Sequence, residues 1–351
     1  MNKNIAVLPG DGVGPEVTNE ALKVLKIIAK KFNHQFIFSE GLIGAIAIDK
    51  TGNPYPDVTH QLCLKSDAIL FGAIGDPKYD NNPKADVRPE QGLLKMRKSL
   101  GLYANIRPIT TYLSIINHSP IKPEIIKGVD FVVVRELTGG IYFGKKGRSA
   151  NKKSAFDICN YSRSEIIRVG KVAFDLALTR RCNLIMVDKA NVLETSRLWR
   201  ETIQELALGY PTVKLNFIFV DNAAMQIIKN PKQFDVILTE NMFGDILTDE
   251  ASVITGSIGM LPSASIGNKV TLYEPIHGSY PKAAGLNSVN PIGAILSVAM
   301  MLDYSFGLKK ESKAVYNAVE KTLEKCFGTK DIVDKNPMST SELGNAIISF
   351  I

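Results

Sequence analysis

The sequence predicts an α/β protein with open, largely parallel sheets divided between two domains. Three observations predict it. Short apolar runs such as NIAVLP (4–9), DAILFGAIG (67–75) and VDFVVVREL (129–137) have the length and turn-residue borders of strands. Between them lie segments whose apolar residues recur every three or four positions, as in amphipathic helices. Strands alternating with helices pair in parallel, because each helix carries the chain back over the sheet. The chain is also 351 residues long, more than one hydrophobic core usually serves.

NIAVLP is the first strand. Pro15 suits a first helical turn, where its missing N–H is no loss, and Val17, Ala21, Leu22, Leu25 and Ile28 carry that helix to about Phe32. QFIFS (35–39) is a strand, Asp57 to Lys65 a helix, and DAILFGAIG a buried strand ending in glycines. A polar, Pro-rich loop, DPKYDNNPKADVRPE (76–90), follows, and loops of that length are usually functional or disordered. GLLKMRKSL (92–100) is helical, and LYANIRPI (102–109) and VDFVVVREL are strands. Residues 138–160 break the rhythm: short β-prone pieces flank a Gly/Lys turn, like a protruding hairpin. A hairpin alone is marginally stable in water, so this arm is expected to pair with something such as a second subunit. Ser162–Arg180 is helix, NLIMVDK (183–189) strand, Thr195–Leu208 helix, VKLNFIFVD (213–221) strand, and FDVILTEN (234–241) a strand leading into a helix to about Ser252. A glycine-rich stretch (255–268) precedes EPIHGSYPKAAG (274–285), and helices over about 291–306, 309–326 and 339–350 close the chain.

Composition narrows the class. Apolar residues at 45% and charged residues at 22% are ordinary for a soluble globular protein. The segment MNKNIAVLPG enters a strand without a signal-peptide h-region. The longest apolar stretch, GAILSVAMML (293–302), falls short of the roughly 20 residues a membrane span needs. Cys63, Cys159, Cys182 and Cys326 form no CxxC pair and read as reduced thiols, so a cytoplasmic location is expected. The net charge of +7 is spread along the chain, which argues against a nucleic-acid surface and would attract an anionic substrate.

The stretch VLPGDGVGPE (7–16) looks at first like a dinucleotide fingerprint. That motif wants GxGxxG and an acid about 20 residues on. Here Gly10, Gly12 and Gly14 place the third glycine one residue early, and no acid stands at the required distance. The fingerprint fails, leaving a tight strand-to-helix turn or a ligand contact. Arg97, Arg107 and Arg135 lie late in a helix, near a strand end, and behind the apolar run FVVV. Guanidinium groups there suit a di- or tricarboxylate. In NMFGDILTDEAS, Asp245 and Asp249 are four apart and share a helix face flanking the stripe Met242, Ile246 and Val253; Asp221 ends the strand FIFVD. Three carboxylates so placed suit Mg²⁺ or Mn²⁺, and a solvated helix face is the bland alternative. Lys189 follows the strand LIMVD, where a partly desolvated lysine can act as a base, and Tyr142 in GGIYFG is a candidate proton donor. Either would serve equally as an ordinary surface residue.

RPEQGLLKMRK, ANIRP, VRELTGGIYFG, VDKANVLE, ENMFGDILTDEAS, GMLPSAS and EPIHGS together resemble one family, the β-decarboxylating dehydrogenases of the isocitrate/isopropylmalate type. The resemblance runs from AVLPGDGVGPE to NPIGAILSVAMML, essentially the whole chain. It implies a fold that is not a Rossmann fold. Residues 1–100 with 253–351 would form a cofactor-side domain; residues 101–252 would form a second domain with the dimerisation arm (about 138–160) and the metal site. Arg97, Arg107 and Arg135 would clamp the malate carboxylates, and Asp221, Asp245 and Asp249 would hold Mg²⁺ or Mn²⁺. A homodimer is implied, with Lys189 and Asp221 contributed across its interface. Lys189 would be the base toward the 2-hydroxyl, Asp221 would also face the substrate, and Tyr142 would protonate the enol left by decarboxylation.

Within the family, Leu93 and Leu94 resemble the leucine pair set against an isopropyl group. A leucine-lined pocket would leave isocitrate's third carboxylate desolvated and unpaired. The resemblance thus implies oxidative decarboxylation of 3-isopropylmalate to 4-methyl-2-oxopentanoate in leucine biosynthesis. The alternatives are another 3-substituted malate (tartrate, homoisocitrate or isocitrate) and a non-catalytic regulatory subunit of the same fold. Cofactor residues carried over are Pro77, Glu90, His277, Gly278, Ser279, Lys282, Ala283, Gly285 and Asn290. The family's NAD pattern is HGSAPDIAG; here the stretch is HGSYPKAAG. NAD is implied, but Lys282 stands where the ribose-binding aspartate would be and admits NADP.

Overall fold

The apolar runs form the sheets of two units, which residues 1–80 and 87–351 of the computed structural model describe. One unit comprises Met1–Leu102, Tyr112–Pro120 and Thr255–Ile351; the other comprises Tyr103–Thr111 and Ile121–Ile254. Of the loop expected over 76–90, residues 81–86 lie outside the described residues, and Pro77–Asp80 is a short helix.

In the first unit the strand order is Gln35–Glu40, Asn2–Gly10, Ala68–Ala73, Leu272–Pro275, Pro262–Gly267. All pairings are parallel except the last. Ala68–Ala73 is buried at every position because helices cover it, which is why it reads as a continuous apolar run. Helix Gly14–Phe32 buries Val17, Ala21, Val24, Leu25 and Ile28 and ends at Asn33 in the left-handed region. Helix Ile292–Tyr304 is buried from Ile292 through Leu302 and packs against helix Gly14–Phe32 and the two last-named strands.

In the second unit the order is Leu102–Thr110, Asp130–Glu136, Val236–Thr239, Asn183–Asp188, Lys214–Phe219. The first pairing is antiparallel and the rest are parallel. Helix Arg163–Leu178 starts in a capping box: Ser162 Oγ accepts from the Glu165 N–H, and the Glu165 carboxylate accepts from the Ser162 N–H at 2.8 Å. The arm is an antiparallel pair, Lys146–Arg148 with Ala155–Asp157, and Phe156 and Ile158 on it are exposed.

Several elements differ from the sequence reading. Strand Lys214–Phe219 stops at Phe219, and Asp221 lies in the first turn of helix Val220–Lys229 instead of ending a strand. Helix Ala45–Thr51 and the strands Pro262–Gly267 and Leu272–Pro275 were not expected as separate elements. These pieces are short or rich in Ser, Pro and Gly, and their neighbours, not their own propensity, impose their conformation.

Candidate active site

The strand Asp130–Glu136 delivers Arg135 in the second unit with only 2% of its surface exposed. Its guanidinium donates twice to Asn241 Oδ1, at 3.1 and 2.8 Å, and also to Asp245 Oδ1. Arg107 is also buried; it donates to Asn105 Oδ1 at 2.6 Å and to Thr248 Oγ1, and lies 3.9 Å from Asp245. Tyr142 closes the turn Gly140–Tyr142, and its hydroxyl donates to Asp245 Oδ2 at 2.9 Å. Burial and the neighbouring Asp245 carboxylate push the Tyr142 phenol above its ordinary value. Two arginines and a tyrosine hydroxyl thus converge on one carboxylate. Sequence reasoning missed Asn241, which joins this group by donating to the Gly139 carbonyl at 3.2 Å while accepting from Arg135.

Asp245 and Asp249 lie on helix Asn241–Ser252 as expected, but the stripe beside them was misread. The helix buries Phe243, Leu247, Thr248 and Ala251, whereas Ile246 is 60% and Val253 37% exposed. The expected stripe is therefore a surface stripe, because the helix packs its other face. Asp249 is exposed. Asp221 pairs with Lys189 Nζ at 2.7 Å, which holds the Asp221 carboxyl below its ordinary value. Among the described residues no three His, Cys, Asp or Glu side chains group to hold a metal. Asp245 and Asp249 supply hard oxygen donors one helical turn apart, a donor set that fits Mg²⁺ or Mn²⁺ once a further ligand joins them.

An acid not singled out from the sequence lies at the head of the same helix. Glu240 is 5% exposed, and its Oε2 is buried without a hydrogen-bond partner among the described residues. Two other buried acids lie in its field. Arg200 holds Asp188 at 2.8 and 2.9 Å, and Glu136 accepts from the N–H groups of Thr138 and Gly139. Burial, followed by Asp188 and Glu136, pushes the Glu240 carboxyl up to about 7.

The first unit holds a cavity of about 520 Å³ lined by Val13, Ile258, His277, Tyr280, Asn290 and Lys330, among others. His277 Nδ1 lies 3.0 Å from the Gly278 carbonyl, which can only accept, so Nδ1 carries the proton. Its Nε2 is then an acceptor, buried and without a partner among the described residues, and burial lowers the ring's pKa. A neutral acceptor at a cavity wall with apolar neighbours suits a flat heterocycle bearing a donor, so the residues fit a nucleotide. Asn290 is spent internally, accepting from the Ile292 N–H and donating to Asp331. Lys282 and Ala283 form the following short turn, and the Gly285 N–H donates to Glu16. Ser279 Oγ and Glu90 Oε1 both crowd Gly75: a Cβ there would lie 3.2 and 3.4 Å from them. Pro77 opens the short helix just beyond. On helix Pro89–Leu100, Leu93 and Leu94 stand four and three residues before Arg97, on its face; Leu93 packs partly against the core. Arg97 lies 3.5 Å from Glu274, and its Nε is buried without a partner among the described residues.

The PGDGVG turn is not a phosphate cradle, for a reason the structure makes plain. The amides of Asp11, Val13 and Gly14 are already committed to the carbonyls of Ala73, Ser279 and Asp11, at 2.8, 2.8 and 3.0 Å. Gly10 and Gly12 have φ of +70° and +60°, and a Cβ on either would fall 2.0 Å from a backbone oxygen. The glycines serve close packing of chain against chain.

Comparison with known proteins identifies the family. The model of the isocitrate/isopropylmalate dehydrogenase family matches residues 4–347, and the chain belongs to that family. Among its relatives, a 3-isopropylmalate dehydrogenase of Priestia megaterium is 54% identical over 356 residues, covering 100% of this chain and 96% of that protein. One from Bacteroides fragilis is 50% identical, covering 100% and 99%. The crystal structure of an isocitrate dehydrogenase from Methylococcus capsulatus superimposes with a TM-score of 0.89 at 30% identity, covering 99% of each chain. The fold is that of this family, as the resemblance implied. Among the described residues no helix is long and apolar enough to cross a membrane.

Proposed function

We propose that this protein is a 3-isopropylmalate dehydrogenase, oxidising and decarboxylating 3-isopropylmalate with NAD and Mg²⁺ or Mn²⁺ as a cytoplasmic homodimer. The observation that carries the reading is the convergence of Arg107, Arg135 and Tyr142 on Asp245, with Asp249 one turn away. The names and full-length identity of the relatives support the substrate.

In this reading Arg97, Arg107 and Arg135 bind the two carboxylates of the malate. Arg135 is pre-set by Asn241, so its orientation costs little when substrate arrives. Leu93 and Leu94 line the isopropyl subsite. Lys189 of one subunit takes the proton of the 2-hydroxyl, and Tyr142 of the other returns a proton to the enol after CO₂ leaves. A divalent metal held by Asp245, Asp249 and the second subunit's Asp221 would supply Lewis-acid stabilisation of the developing oxyanion. His277 and its neighbours would hold the nucleotide, with Pro77, Glu90, Ser279, Lys282, Ala283 and Gly285 around it; when bound it would supply the hydride acceptor. The exposed Ile246, Val253, Phe156 and Ile158 give the second unit apolar surface for a second copy.

The test is the initial rate with 3-isopropylmalate and Mg²⁺, NAD against NADP, with isocitrate in parallel. Turnover of 3-isopropylmalate with NAD is expected. Turnover of isocitrate alone would overturn the substrate assignment.

A further inference from the structure

Asp11 is a buried carboxylate whose hydrogen-bond partners among the described residues are all backbone. Its Oδ2 accepts from the Ala45 N–H at 2.8 Å and the Gly75 N–H at 3.0 Å, and its Oδ1 accepts from the Ile46 N–H at 2.9 Å. Only 6% of the residue is exposed. Burial pushes its carboxyl up, and these three N–H groups work in the opposite direction. A carboxylate kept in such a place without a cation is costly unless hydrogen bonds to it recover the loss.

The segments it ties are the start of a helix, at the buried Ala45, and the turn at Gly75. Ala45 and Ile46 begin the helix Ala45–Thr51, and Gly44 before them has φ +85°, where a Cβ would lie 2.3 Å from Asp11 Oδ2. Gly75 lies against Ser279 and Glu90 and leads to Pro77. Asp11 itself sits two residues before Val13, which lines the cavity and donates to the Ser279 carbonyl.

We propose that Asp11 is a positioning residue for the cofactor cavity: its carboxylate fixes the Val13 and Gly75–Pro77 segments against Ser279, and so sets cofactor affinity without touching the cofactor. The inference rests on reading this cavity as the nucleotide site. It assigns the PGDGVG turn a role that its glycine spacing obscures. The turn grips its own neighbouring loops instead of a phosphate.

The test is NADH binding to the full-length protein, followed by cofactor fluorescence. Asp11→Asn keeps the shape and loses the charge, and Ala45→Pro deletes one donor at a first-turn position that tolerates proline. Each is expected to weaken NADH binding about tenfold, the scale of one hydrogen bond to a charged group. The KM for 3-isopropylmalate, and kcat at saturating NAD, should stay within about twofold on the same scale. Folded variants that bind NADH as the wild type does would overturn the proposal. Equal loss of affinity for both ligands, or failure of both variants to fold, would make Asp11 a structural staple only and overturn it too. Wild-type protein that binds no NADH would instead overturn the cavity assignment on which the proposal stands.

Discussion

Glu240 gives the second unit a pH-dependent weakness that can be measured. The carboxyl rises from the ordinary glutamate value of 4.5 to about 7, because burial and two neighbouring acids disfavour its charge. At about 1.36 kcal/mol per factor of ten, that difference amounts to ~3 kcal/mol between its charged and neutral forms. The sign follows from linkage: the folded state holds this proton more tightly than the unfolded state does. The stability it contributes is complete below pH 4.5 and is lost as pH rises through about 7. Glu240→Gln keeps the volume and cannot ionise. Its stability relative to wild type should therefore improve by ~3 kcal/mol between about pH 5 and about pH 8.5. Urea unfolding of both proteins at the two pH values, at one fixed protein concentration, measures this directly. A variant-minus-wild-type difference that is the same at both pH values would refute the argument, because the carboxyl would then not be titrating in the folded protein.

Three other outcomes are expected. Lys189→Ala should lower kcat by ~10²–10⁴-fold, the usual contribution of a positioned acid or base, with the thermal unfolding midpoint unchanged; near-normal kcat would remove the base assignment. Asp245→Asn should raise the Mg²⁺ concentration for half-maximal activity beyond the ~10–100-fold that losing a mere supporting contact brings, and an unchanged metal titration would take Asp245 out of the ligand set. Lys282→Asp should shift the NAD-to-NADP ratio of kcat/KM toward NAD by ~10–100-fold, the range of a charge-assisted hydrogen bond. An unchanged ratio would mean that the side chain at 282 does not meet the adenosine ribose.

Long periodic segments were legible in the sequence. The apolar spacing of Val17, Ala21, Leu25 and Ile28 marks a buried face that the helix does bury, and Ser162 and Glu165 sit at the spacing of the capping box they form. Helix Val220–Lys229 was hidden because Val220 continues an apolar run and only Ala223 and Ile227 are buried to signal a new period. The stripe at Met242, Ile246 and Val253 misled because periodicity shows that a helix has an apolar side, not which side the protein covers. Arg135 was recognisable from the four apolar residues before it. Asn241, Asp11 and Glu240 were not, since their roles arise from partners that are remote in sequence: Asn241 meets Arg135, 106 residues earlier, and Asp11 meets Gly75, 64 residues on.

The first unit is assembled from both ends of the chain. Strand Ala68–Ala73 lies between Asn2–Gly10 and Leu272–Pro275, and Ile69 pairs with Leu272. During synthesis, roughly two hundred residues must therefore be made after Ile69 before its second neighbour exists, and loop closure of that span comes late and slowly. The second unit, nearly continuous from Tyr103 to Ile254, is complete while the first still has an open sheet edge at Ala68–Ala73. That edge is apolar at nearly every position, the kind of surface that other nascent chains can join. The ribosome thus leaves one edge of this apolar strand uncovered until the residues that pair with it are made, and the yield of native enzyme should depend on how quickly the last hundred or so residues arrive to cover it.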